Sequence, residues 1–268
     1  MAPLAAQADG DAPVDPRSES PPPSLVEVLA DRQEPALTVN EPMYFVVGKD
    51  GGDTKARFQL SLKYRILDEN SGVVQKLPWL ENLHFAYTQT SLWNLSKDSA
   101  PFEDTSYRPS LFWEFGRMRG PDRTHFLRVG YEHESNGQAG EKSRSIDTLF
   151  FMPGLATRAF GRDLVFTPKL YTYLERSDNP DIADYRGHGD FIVRYGNDDS
   201  TVIQLMYRHG KSGRHTTQLD LSIPIRERIF ARTGAFFYVQ AFDGYGETLR
   251  NYNQRTSWNV RVGLAIVR

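Results

Sequence analysis

The chain has 268 residues with 32 Lys and Arg against 34 Asp and Glu, a net charge of -2 and a pI near 6.3, so no bulk positive charge draws it to nucleic acid. Cysteine is absent, which excludes disulfides and thiol catalysis. No apolar run approaches the roughly 18 residues of a spanning helix, whereas the mean hydropathy of -0.53 excludes little, because a β-barrel hides its apolar residues at alternate positions and averages out as polar.

Residues 1–36 stand apart. They are rich in proline, small and acidic residues, and Pro21, Pro22 and Pro23 favour extended polyproline backbone. The segment lacks a basic start followed by an apolar core, so it is not an intact secretion signal. It is expected to be a mature N-terminus behind an initiator Met, and disordered rather than forming the short helix that Leu25 to Arg32 would allow. The remainder, 37–268, is predicted to be one domain.

From Glu41 onward the pattern is strand, turn, strand. Phe58, Leu60, Leu62, Tyr64 and Ile66 alternate with Gln59, Ser61, Lys63 and Arg65. The same period of two recurs at Leu83, Phe85, Tyr87, Gln89 and Trp93, and at Leu111, Trp113 and Phe115. Later it returns at Ile203, Leu205 and Tyr207, at Leu219, Leu221 and Ile223, and at Val260, Val262, Leu264 and Ile266. Turn signals lie at Lys49 to Asp53, Arg119 to Pro121, Gly161 to Arg162, Gly196 to Asp199 and Ile225 to Arg228. Dividing about 230 residues by about 19 for a tilted strand with its share of turns predicts about twelve strands. The fold class is therefore all-β, and the even count fits an antiparallel barrel, a transmembrane antiparallel β-barrel being one reading of it.

The face opposite the apolar one carries Lys63, Arg65, Glu114, Arg128, Glu132, Glu134, Arg208 and Asp220. Both signs are present, as a lumen of paired charges requires. Tyr107, Trp113, Phe150, Phe151, Tyr171, Tyr173, Tyr238 and Phe242 are read as interfacial girdles near strand ends. Pro168, inside FTPKLYTYLE, removes a ladder donor and predicts a bulge or a strand end. Alternation alone suits a soluble barrel or sandwich equally well.

The stretch from Tyr131 to Phe151 reads YEHESNGQAGEKSRSIDTLFF. On a strand, His133 and Ser135 share the apolar face with Leu127, Val129 and Tyr131, whereas Arg128, Glu132, Glu134 and Asn136 take the other. Asp147 is in phase with Leu149 and Phe151. A hydroxyl, an imidazole and a carboxylate thus converge on an apolar surface. A His and a Ser two apart arise often by chance, and Asn136-Gly137 reads equally as a turn.

HESNG followed by SRS-x-D resembles the signature of the bacterial outer-membrane phospholipase A family, a His-x-Ser-Asn-Gly strand followed by Ser-Arg-Ser-x-Asn. The resemblance extends, in order, to residues 56–63 (ARFQLSLK), 86–96 (AYTQTSLWNLS), 99–109 (SAPFEDTSYRP), 178–185 (DNPDIADY) and 243–254 (DGYGETLRNYNQ). It implies a twelve-stranded barrel in the bacterial outer membrane, with the triad on its outer wall, and an activity that needs calcium and a homodimer. Ser135 resembles the nucleophile and His133 the general base. Asp147 stands where the family has Asn; either accepts the ring N–H of His133, but a carboxylate facing lipid is costly unless paired.

The resemblance further implies an oxyanion site at the Gly137 N–H with a calcium-bound water. Its calcium ligands would be the Ser143 hydroxyl, the Gln138 carbonyl and Ser99 from a second copy. Gly140 replaces an acidic ligand of a second calcium site, and Gln89 matches a residue at the dimer interface. The expected activity is hydrolysis of acyl esters of phospholipids and lysophospholipids, as a phospholipase A1 and A2. A catalytically inactive structural or porin-like outer-membrane barrel of the same lineage is the competing expectation.

Overall fold

The computed structural model describes residues 35–68, 70–115, 119–120, 123–197, 200–225 and 234–267. The proline-rich stretch through residue 34, with its candidate helix, lies outside the described residues, as do parts of the turns expected at Arg119 to Pro121, Gly196 to Asp199 and Ile225 to Arg228.

Among the described residues twelve strands form one closed antiparallel barrel. They are β1 Met43–Asp50, β2 Asp53–Arg65, β3 Leu83–Asn94, β4 Phe102–Phe115, β5 Arg123–Ser135, β6 Ser145–Ala159, β7 Arg162–Glu175, β8 Gly189–Tyr195, β9 Val202–His209, β10 His215–Pro224, β11 Phe236–Tyr245 and β12 Arg255–Val267. Each pairs with its sequence neighbours, and β12 pairs with β1 from Arg261↔Gly48 to Val267↔Met43, which closes the sheet and leaves no open edge. The even count puts Met43 and Val267 at one rim. The loops over 95–101, 136–144, 176–188, 210–214 and 246–254 gather at the other.

Alternation sorts the side chains as predicted. Leu60, Leu62, Phe85, Leu149, Phe151, Leu205, Leu219 and Val262 are exposed on the outer wall, while Lys63, Glu114, Arg128, Glu134, Asp220 and Arg261 are buried in the lumen. Exposed leucines around buried lysines invert the arrangement of a water-soluble protein, and lipid is the solvent that suits such a wall. No described helix is long and apolar enough to cross a membrane; the strands cross it.

Many of the buried charges are paired, which offsets much of their desolvation cost. Glu114 accepts from Lys63 Nζ at 2.9 Å and from Arg128 Nε at 2.5 Å, Lys169 meets Glu132 at 2.7 Å, and Arg208 meets Asp190 at 2.6 Å. A short strand, Leu37–Val39, pairs with the far end of β2, and the break before β1 turns Asn40 and Glu41 inward. Glu41 accepts from Arg108 at 2.6 Å and Asn40 from Arg128 at 3.1 Å, so the chain's entry into the barrel is tied to the same network.

Two expectations need correction. Phe150, Tyr171, Tyr173, Tyr238 and Phe242 are not girdle residues: their parity is inward, and Phe150, Tyr238 and Phe242 are almost fully buried. Lumen cations use such rings, with Lys169 Nζ 4.9 Å from the Phe150 ring and the Arg128 guanidinium 5.1 Å from that of Phe112. Pro168 makes neither a bulge nor a strand end, since β7 pairs with β8 straight through Pro168↔Phe191. Toward β6 the ladder is open between Phe151↔Leu170 and Leu155↔Phe166, and the unchanged register sets Pro153 opposite Pro168. Two residues without N–H groups share one gap, which costs less than either facing an unpaired acceptor alone.

At the terminal rim the 66–82 loop holds a short helix, α1 Gly72–Lys76, that alternation did not predict; the Ser71 side chain accepts from the Val74 N–H at 3.2 Å as its cap. Trp79 packs against Trp113 with ring centroids 6.0 Å apart, which places an aromatic pair at this end of the outer wall.

Candidate active site

β5 and β6 build the site by register. His133 and Asp147 are direct cross-strand partners, Ser135 faces Ser145, and Tyr131 faces Leu149. All project outward, between buried Glu134, Asn136, Ile146 and Thr148. His133 Nδ1 lies 2.6 Å from Asp147 Oδ1, with side-chain exposures of 34% and 25%, so the pair is open to the bilayer side yet partly shielded. With Nδ1–H donating to the carboxylate, Nε2 is the basic atom left to the ring. Ser135 is two residues on, about 6.6 Å along the strand on the same face. No hydrogen bond joins His133 and Ser135 among the described residues; contacts of this kind commonly tighten only around the transition state.

Asn136 is buried and organises the loop that follows. Its side-chain amide donates to the Lys142 carbonyl at 2.9 Å, its Oδ1 accepts from the N–H groups of Arg144 at 3.0 Å and Gln138 at 3.3 Å, and its N–H donates to the Arg144 carbonyl at 3.0 Å. Asn136-Gly137 is thus more than a turn: the N–H of Gly137 takes no part in that clamp. Gly137 has φ +64°, and a Cβ there would sit 2.9 Å from the Tyr107 ring. Tyr107 in turn is the β4 partner of Ser135, so ring, glycine and nucleophile candidate lie together.

The strand is braced from inside. Between His133 and Ser135, Glu134 points into the lumen, where it accepts from Arg186 at 2.7 Å and from the Ser106 hydroxyl at 2.7 Å. Arg186 ends the short helix α2 Ile182–Arg186 in the 176–188 loop. Ile146, Ile182, Leu249 and Tyr252 form an apolar cluster that joins this loop and 246–254 to β6. Burial and the hydrogen bond it donates to Asp181 push the Tyr252 hydroxyl up to about 12, so it stays a donor.

Of the oxygen groups expected at calcium, Ser143 is joined to a carboxylate that sequence reading did not name. Ser143 donates to Asp178 Oδ2 at 2.7 Å and Ser145 to the same oxygen at 3.3 Å, while Asn179 Oδ1 accepts from the Ser145 N–H at 3.2 Å. The Asp178 carboxylate and the two serine hydroxyls are oxygen donors only, the chemistry that suits a hard cation. No cluster of three or more His, Asp or Glu that would hold a metal occurs among the described residues, so neutral oxygens have to supply the remainder. Ser99 is exposed on the 95–101 loop, with φ +62°, and no hydrogen bond links it to Ser143 or Gln138. Gln89 lies on the outer wall and accepts from the Tyr87 hydroxyl at 3.1 Å.

Sequence reading missed Asp178, Asn179, Arg186 and Tyr131 as parts of the site. Only DNPDIADY carried a signal, as a recurring block without a role.

Comparison with known proteins bears on this arrangement. A family model described as Phospholipase A1 matches residues 31–267. A putative phospholipase A1 of Neisseria meningitidis is 32% identical over 200 residues, 68% of this chain and 48% of that protein, so the chain spans about half of that relative's length. The phospholipase A1 of Klebsiella pneumoniae is 31% identical over 225 residues, covering 80% of this chain and 70% of that one. Among solved structures, the outer membrane phospholipase A of Escherichia coli superposes with a TM-score of 0.74 at 26% identity over 90% of this chain and 95% of that chain. A calcium-bound dimer of the Salmonella typhi outer membrane phospholipase gives 0.75 at 24% identity, over 91% and 97%, a likeness of fold.

Proposed function

Because the chain belongs to the phospholipase A1 family, we propose that this bacterial outer-membrane β-barrel hydrolyses acyl esters of phospholipids and lysophospholipids, through Ser135, His133 and Asp147 on its lipid-facing wall. The observation that carries the reading is the 2.6 Å contact between His133 and Asp147, made outside the barrel and beside a serine on the same strand face. An ester in the outer leaflet reaches such a site from the side, without leaving the bilayer.

His133 Nε2 takes the proton of the Ser135 hydroxyl as Oγ attacks the ester carbonyl carbon. The tetrahedral intermediate places its negative oxygen at the Gly137 N–H. Asp147 holds the imidazole in the tautomer that leaves Nε2 basic and stabilises the imidazolium. The carbon–oxygen bond to the leaving alcohol then breaks, His133 returns the proton to that oxygen, and a lysophospholipid departs from the acyl-enzyme. Water, deprotonated by His133, attacks the acyl carbon; the bond from that carbon to Ser135 Oγ breaks, His133 returns the proton to Oγ, and the fatty acid leaves. Whether the first or second glycerol ester is cut, phospholipase A1 or A2 chemistry, the same groups serve.

Calcium would be held by the Ser143 hydroxyl, the Gln138 carbonyl and Asp178, with Ser99 supplied by a second copy of the chain. When bound it supplies positive charge beside the developing oxyanion. Activity in a homodimer follows if one copy completes the metal site of the other.

The competing porin-like reading is disfavoured by the lumen, which is crossed by buried ion pairs such as Lys63–Glu114–Arg128 and Glu134–Arg186. Ser135→Ala tests the reading directly. Ester hydrolysis on mixed phospholipid and detergent micelles should fall to background while circular dichroism still reports the barrel; full activity in that variant would remove Ser135 from the mechanism.

A further inference from the structure

A carboxylate on a lipid-facing wall carries a desolvation cost that one neutral imidazole does not offset. The wall supplies a second donor. Tyr131 lies two residues before His133 on the outward face of β5, diagonal to Asp147 across the β5–β6 ladder, and its hydroxyl donates to Asp147 Oδ1 at 2.7 Å. His133 Nδ1 approaches that same oxygen at 2.6 Å. Two donors on neighbouring side chains therefore converge on one carboxylate oxygen, and both come from the strand that carries the nucleophile candidate.

Glu175, the β7 cross-strand partner of Asp147, has the wrong sign to help. The phenol ring is exposed on the wall among apolar neighbours such as Leu111 and Leu149, its Cα partners, so the hydroxyl is the polar end of an otherwise lipid-compatible side chain.

We infer that Tyr131 is a positioning residue for the reaction: its hydroxyl fixes the Asp147 carboxylate and keeps it aimed at His133, which lets an aspartate serve as the third member on a surface facing lipid. This rests on the reading of Ser135, His133 and Asp147 as the catalytic set. A hydrogen bond to an ionised acceptor is about twice as strong as one to a neutral acceptor, so the hydroxyl should matter more to Asp147 than to an asparagine in its place.

The experiment compares the parent, Tyr131→Phe, Asp147→Asn and the double variant in detergent, with kcat and KM measured on mixed micelles and Ser135→Ala as control. Tyr131→Phe should lower kcat about tenfold at unchanged KM in the parent background. In the Asp147→Asn background the same substitution should cost less than about threefold. A kcat within about twofold of the parent, or equal losses in the two backgrounds, overturns the role of Tyr131. A rise in KM alone would make Tyr131 a lipid contact and overturn it too. If Ser135→Ala remains active, the catalytic set itself is wrong, an outcome distinct from a silent Tyr131→Phe.

Discussion

Gly137 is the residue on which conformation and chemistry meet most closely. Its φ of +64° and the 2.9 Å from a Cβ position to the Tyr107 ring leave a side chain no strain-free place. Gly137→Ala should therefore displace the N–H proposed to face the oxyanion and lower kcat by about a hundredfold with little change in KM; a variant with parent kcat would move the oxyanion site elsewhere. The residue types here were legible in the sequence, since a strand's parity put His133, Ser135 and Asp147 on one apolar face before any coordinate. The contacts of Tyr131 and Asp178 were not, because each is a cross-strand or cross-loop meeting between residues 16 and 35 positions apart.

β5 is an element with two duties divided by alternation: its outward residues carry the proposed catalytic groups and its inward ones anchor the strand. Glu134 carries the second duty through Arg186, an ion pair in which both side chains are about one-tenth exposed. Removing one partner of such a pair leaves an uncompensated buried charge. Glu134→Gln should cost about 3 kcal/mol of unfolding free energy and loosen the 176–188 loop, seen as faster hydrogen exchange there than in β10 to β12. Equal protection in variant and parent would mean that α2 is held by the apolar cluster at Ile182 and not by the ion pair. Prolines show the same division at element scale, since Pro153 and Pro168 break one ladder and leave the outer one intact.

The whole molecule turns a soluble protein's arrangement inside out, with lipid taking the place of the core and paired charges filling the lumen. The proposed site lies on the outer wall, and a hydrolase in that position needs a control. Completion of the calcium site by Ser99 of a second copy would supply one, because neither metal nor partner alone suffices. In detergent, adding calcium should shift the sedimenting species from monomer to dimer and raise hydrolysis about a hundredfold. Chelation should reverse both, and activity indifferent to chelation would end the proposed role of the metal.

Period-two alternation by itself determined the all-β class, the approximate strand count and which side chains share a wall, because the strand's geometry is local and needs no partner to be read. The HESNG motif pointed to the membrane and to the kind of chemistry. Only the tertiary structure decided the register, and with it that His133 stands across from Asp147, that Tyr131 and Asp178 join the site, and that several aromatics serve the lumen. Register is a relation between strands, and a shift of one residue in β6 would keep every local pattern and lose the site.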